Sequence, residues 1–158
     1  MPRHDGLADF RLAAAQRLKD AEELLEPPTL EPNGPLATRR HLRGAMYLAG
    51  YAVECITKAY LISMHAPLNT LSDVDAKLRR TTPEMPNLLS ASGHSIEVVV
   101  RFTDLAAEQN EHQRRSLGFV ASEWSTDLRY NGRAPKADLA RRLVADCRKL
   151  HDWIAGRI

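Results

Sequence analysis

Proline placement constrains this chain more than any other feature. A proline inside a helix removes a backbone donor and clashes with the preceding turn, so helices must fit between prolines. Those at 27, 28, 32, 35, 67, 83, 86 and 135 leave long free stretches. Apolar residues in these stretches recur every three or four positions, as a helix buried on one side requires.

From Asp5 to Glu26, the residues Leu7, Phe10, Ala14, Leu18, Ala21 and Leu25 form one apolar stripe, with Asp5 placed to cap it and Pro27-Pro28 to stop it. The segment from Leu36 to His65 is the most apolar, and Ala45 to Val53 has little polar interruption. It should be the central helix, burying Leu48, Ala52 and Cys55. A short helix is predicted from Ser72 to Arg80, with Ser72 and Asp75 approximating a capping pair. A third long helix is predicted from Ser92 to Gln109. Val98-Val99-Val100 would suit a strand, but nothing else in the chain is a strand candidate to pair with it. Residues 110–134 read as irregular, anchored by Leu117, Phe119, Val120, Trp124 and Leu128. Pro135 suits a first helical position, and Leu139, Leu143, Cys147, Leu150 and Ile154 give the last helix its seam. The expectation is one all-α domain over 1–158, an antiparallel bundle of four to five helices.

Composition excludes several classes. Apolar residues make up 44% of the 158 and net charge is only +2, unlike a disordered chain. Two cysteines cannot make a disulfide scaffold, and within helical patterns Cys55 and Cys147 read as buried, inert thiols. No apolar run approaches the ~20 residues of a membrane span. With no apolar leader visible, the expectation is a cytoplasmic protein. There is no glycine-rich phosphate loop, paired-cysteine site or His-Glu-x-x-His helix, so neither metal nor cofactor is expected.

Charge is uneven along the chain. Residues 1–31 carry a net −3 and residues 112–158 a net +5, and 17 of the 22 basic residues are arginine. Arginine is the better phosphate fork. Arg133, Lys136, Arg141 and Arg148 therefore stand as candidate RNA contacts, the alternative being a solvated helix face.

Two stretches stand out chemically. Tyr47, Tyr51, Glu54, Lys58 and His65 share one side of an otherwise apolar helix. Burying such groups is costly unless they pair. They form either a helix edge with a Glu54–Lys58 pair or a polar cleft facing a ligand. The second stretch is Trp124-Ser125-Thr126-Asp127-Leu128-Arg129-Tyr130. Its aromatics could stack bases around an arginine on phosphate, or simply pin the segment to the bundle, with Arg129 neutralising Glu54.

These stretches carry a family resemblance. The run from Ala45 to Leu61 resembles the core helix of HEPN domains (higher eukaryotes and prokaryotes nucleotide-binding). Gly93-His94-Ser95-Ile96 resembles the start of that family's third helix. Trp124-Ser125 followed by Leu128-Arg129-Tyr130 resembles a motif before the last helix in several bacterial subgroups. Together they cover about residues 39–154. The resemblance implies a HEPN-like bundle, a homodimer, and a place in toxin–antitoxin or phage-defence systems beside a nucleotidyltransferase-like antitoxin. Many members are metal-independent endoribonucleases whose site is an Arg followed a few residues later by a His. No histidine here has an arginine five to seven positions before it. Two functions stay open: a module that binds RNA or a nucleotide, and a ribonuclease with a variant site. The second would use Arg129 on phosphate, Tyr130 or His94 in proton transfer, and Glu54 to orient Arg129. A non-catalytic structural dimer module is the third.

Overall fold

The computed structural model describes residues 5–26, 35–82, 84, 87–90, 94–129 and 135–158, the side chains of 35–40 and 129 excepted. Among the described residues seven α-helices follow one another: α1 (Leu7–Glu23), α2 (Pro35–Met64), α3 (Leu71–Thr81), α4 (Ile96–Arg101), α5 (Leu105–Glu108), α6 (Glu111–Glu123) and α7 (Ala137–Ala155). A 3₁₀ turn at Thr126–Arg129 precedes α7. Among the described residues there is no strand, only an isolated bridge between Gly6 and Thr70. The all-α bundle expected from the proline spacing is what forms.

The 30-residue α2 is the axis, with α1, α7, α3, α4 and the 3₁₀ turn all packed on it. Its Ala45, Ala49, Ala52, Val53, Ile56 and Ala59 are buried against Leu18 of α1 and Leu143, Cys147 and Leu150 of α7. Small residues on α2 let the outer helices approach closely. Ala52 and Cys55 are buried as expected, whereas Leu48 packs only partly against the core. A second cluster joins Leu61 and Ile62 to Val74 of α3, Leu88 and Val99 of α4. Among the described residues, no helix is long and apolar enough to cross a membrane.

Several boundaries depart from the sequence reading. The third long helix is α6, not residues 92–109. Phe102 N–H closes on Val99 O at 3.1 Å and Thr103 N–H on Val100 O at 3.0 Å. The Thr103 hydroxyl also donates to Val100 O at 2.7 Å, occupying the carbonyl a continuing helix would use. The helix therefore breaks into α4 and α5. Residues 111–123 are regular because Asn110 and Gln113 form a reciprocal capping box, each side chain accepting the other's N–H at 2.9 Å. Asp5 does not cap α1. Its carboxylate accepts from the Ser72 hydroxyl at 2.5 Å, and its carbonyl from Leu71 N–H at 2.9 Å. It thereby ties the α1 entrance to α3, which Thr70 caps by accepting from Asp73 N–H. Pro135 lies just outside α7, and Lys136 is the residue before its first turn.

Candidate functional site

Three stretches distant in sequence meet on α2. Glu54 lies in the middle of that helix, 1% exposed. One of its oxygens, Oε1, accepts from Lys58 Nζ at 2.5 Å, one turn along the same helix. His94 Nδ1 lies 2.8 Å from the same oxygen. A carboxylate oxygen only accepts, so Nδ1 carries the proton there, which leaves Nε2 as the nitrogen that can take up or give a proton. Among the described residues, Glu54 Oε2 has no hydrogen-bond partner.

Local sequence sets this geometry. Ser95 caps α4 by accepting from Val98 N–H at 3.4 Å, and the buried Ile96 and Val100 anchor that helix. His94 is thus the last residue before the cap, fixed beside α2 with its side chain 42% exposed. On the other flank, α6 ends at Trp124 in an extended conformation. The indole N–H donates to Tyr47 O at 3.0 Å. Its ring lies flat against Gly50, where a Cβ would come within 2.1 Å of the ring carbons. Gly50 is therefore demanded by this close approach, although it sits inside a helix where glycine is otherwise unfavourable.

Between these elements lies a cavity of about 250 Å³, bounded by His94, Ser95, Glu97, Trp124, Ser125 and Thr126. It combines one imidazole with hydroxyls, a carboxylate and an aromatic edge. With its Nδ1 held by a buried carboxylate, the imidazole can exchange a proton at Nε2 or donate from it when charged. Such a carboxylate–imidazole pair fixes tautomer and orientation for acid–base work or anion binding.

Two neighbouring groups, Tyr51 and Cys55, hold their protons. Tyr47 and Tyr51 stack, with ring centroids 6.2 Å apart. The adjacent Cys55 thiol, partial burial and the Glu54 carboxylate, in that order, push the Tyr51 phenol up to about 12. Burial and then Glu54 push the Cys55 thiol up to about 12 as well. Burial and Asp146 raise Cys147 further still. Neither thiol ionises near neutral pH, so neither is a nucleophile there.

The sequence-predicted residues divide in three. Glu54, Lys58, His94 and Trp124 come together. Trp124 is only 6% exposed, so it anchors its segment and presents an edge to the cavity rather than an open face. His65 lies at the far end of α2 with the ordinary pKa of its ring lowered by burial and by Lys77. The basic residues of α7 lie elsewhere. Arg148 forks onto Glu22 of α1 at 2.7 and 2.5 Å. Arg141 stands exposed beside Asp138, and Lys136 is exposed at the helix start. The side chain of Arg129, and Tyr130 and Arg133 altogether, lie outside the described residues. The signal that sequence reading missed was Gly50, a helix-interior glycine one turn before Glu54. No family model matches this chain, and neither a curated protein nor a solved structure was found similar to it.

Proposed function

We propose that this chain is a HEPN-like module that binds RNA or a nucleotide, with the cavity beside His94 as its binding place. The observation that carries the proposal is the buried Glu54 carboxylate holding His94 Nδ1 at 2.8 Å while the imidazole walls the cavity. Once protonated at Nε2, an imidazole so held is a donor for a phosphate oxygen, and the hydroxyls of Ser125 and Thr126 add neutral partners. In this reading the chain acts as a homodimer in the cytoplasm, beside a nucleotidyltransferase-like antitoxin. Lys136 and Arg141 add sequence-independent phosphate contacts.

The same pair favours a second reading, a metal-independent endoribonuclease with a variant site. His94 Nε2 would take the proton from a 2′-hydroxyl as it attacks the adjacent phosphorus, the P–O5′ bond would break with the 5′-oxygen taking a proton as it leaves, and Glu54 would hold the resulting imidazolium. Arg129 on phosphate and Tyr130 as a second proton-transfer group come from the family resemblance alone. The test is single-stranded RNA titrated against wild type, His94→Ala and Glu54→Gln at low salt, with RNA integrity followed in chelator. Binding that falls at least about tenfold in His94→Ala supports the module. Cleavage lost in both variants supports the enzyme. RNA neither bound nor cut by the wild type overturns both.

A further inference from the structure

The cavity beside His94 has a neighbour. A second cavity, about 280 Å³, lies between α4, α5 and α6, with Val100, Arg101, Arg114, Leu117 and Gly118 in its lining. Glu97 borders both cavities. On α6 the first cavity meets Ala121 and the second meets Leu117 and Gly118, one helical turn earlier. The two are therefore neighbours along the α4–α6 cleft, and their lining residues on α6 are about 5.4 Å apart, one turn. That exceeds the ~3.4 Å rise of stacked nucleotides and suits adjacent, unstacked ones.

The chemistry of the second cavity differs from the first. Its floor is apolar, from Val100 and Leu117, and its rim carries two exposed guanidinium groups. Arg114 has an exposed Glu111 beside it at 3.2 Å, a pair that solvent weakens. Among the described residues Arg101 is in no ion pair. Among the described residues Glu97 is the one acidic side chain in either lining, and as an acceptor it suits a ribose hydroxyl.

Gly118 singles out this groove. It sits in the interior of α6, where glycine weakens a helix. Packing does not require it, since a Cβ there would meet nothing within 4 Å. At Gly50 the neighbour demands glycine, whereas at Gly118 the missing side chain leaves space in a groove.

We propose that this groove is a second nucleotide subsite, in which Arg101 and Arg114 hold the phosphate, and Val100 and Leu117 the base, of the residue next to the one at His94. The proposal rests on the RNA-binding reading above and extends it to a strand running along the α4–α6 cleft. Arginine on phosphate with an apolar floor under the base grips a strand without reading its sequence.

The test compares a single-stranded hexaribonucleotide with a mononucleotide 5′-phosphate on wild type, Gly118→Leu, the Arg101→Gln/Arg114→Gln double variant and His94→Ala. Leucine improves helix propensity at 118, so circular dichroism and melting should be preserved while the groove is filled. Gly118→Leu and the double variant should each weaken the hexamer about tenfold or more and leave the mononucleotide unchanged. The double variant should also flatten the salt dependence of log K by about 1.4. Unchanged hexamer affinity in both groove variants, with loss in His94→Ala, removes the subsite and leaves the RNA-binding reading standing. Loss in the groove variants but not in His94→Ala keeps the groove and removes the His94 reading. A wild type that binds no hexamer at low salt removes both.

Discussion

Replacing Gly50 by alanine tests the packing that places the site. An ideal Cβ at this position lies 2.1 Å from Trp124 Cδ1 and 2.2 Å from Cγ. Carbon atoms rest ~3.5–4.0 Å apart, so the ring must retreat by roughly 1.5 Å or more. Retreat lengthens the indole bond to Tyr47 O, now 3.0 Å, at a cost of about 1 kcal/mol. A buried tryptophan covers ~150–250 Å², worth at most ~4–6 kcal/mol at the usual coefficient. Losing half of that costs ~2–3 kcal/mol. Against these losses, alanine gains about 1 kcal/mol over glycine inside a helix. The net expectation for Gly50→Ala is a loss of ~2–3 kcal/mol, read by urea unfolding or as a fall in Tm of roughly 5–10 °C. The decisive comparison is made in a Trp124→Ala background. There the clash is gone and Gly50→Ala should be neutral or stabilising by up to about 1 kcal/mol. Equal cost in both backgrounds, or a stable single variant, would refute the close-approach argument.

Alkaline unfolding should expose the Cys55 environment. Its folded pKa, raised from 9.0 to about 12, lets the unfolded thiol ionise first. Stability is then full below pH 9 and is lost as pH rises towards 12, by up to ~4 kcal/mol; Cys55→Ala should flatten that loss. Arg148→Ala breaks the fork onto Glu22, whose partners are about two-fifths exposed, so stability should fall by only about 0.5–1 kcal/mol and less in high salt. The same variant should leave the salt slope of RNA binding unchanged, because this guanidinium is already committed to α1.

Element existence was more legible than element boundaries. Apolar spacing and prolines were enough for α1, α2, α3 and α7, because a buried stripe is a property of one segment. The break between α4 and α5 was not legible, since it depends on the Thr103 hydroxyl choosing Val100 O over solvent. α6 was missed because its short apolar set is scattered, although Asn110 and Gln113 carried a cap signal at the correct spacing. In the site, Glu54 and Lys58 were legible as a helical pair at one-turn spacing. His94 appeared only as a candidate, since nothing in its own segment says that it docks forty residues back on Glu54. Trp124 against Gly50 joins the residue that ends one helix to the interior of another, and a glycine carries no pattern that names its neighbour.

The Glu54–Lys58 pair is better understood as a positioning device than as a source of stability. Both side chains are nearly inaccessible, 1% and 6% exposed, so each has lost most of its hydration. Mutual attraction in such a place offsets desolvation, and an apolar pair of similar volume often does as well or better. Removing one partner alone leaves a buried charge behind. Glu54→Leu should therefore cost ~3–5 kcal/mol, whereas Glu54→Leu with Lys58→Met should lie within about 1 kcal/mol of wild type or above it. Denaturant unfolding of both variants measures the difference, and equal losses would mean that the two residues do not act as a buried unit. What the double variant cannot supply is an acceptor for His94 Nδ1. Its imidazole should then lose its fixed tautomer, and RNA binding should fall as far as in His94→Ala while the bundle stays folded. A stable double variant with unchanged RNA binding would show that the carboxylate orients nothing, and the case for the His94 cavity would fall with it.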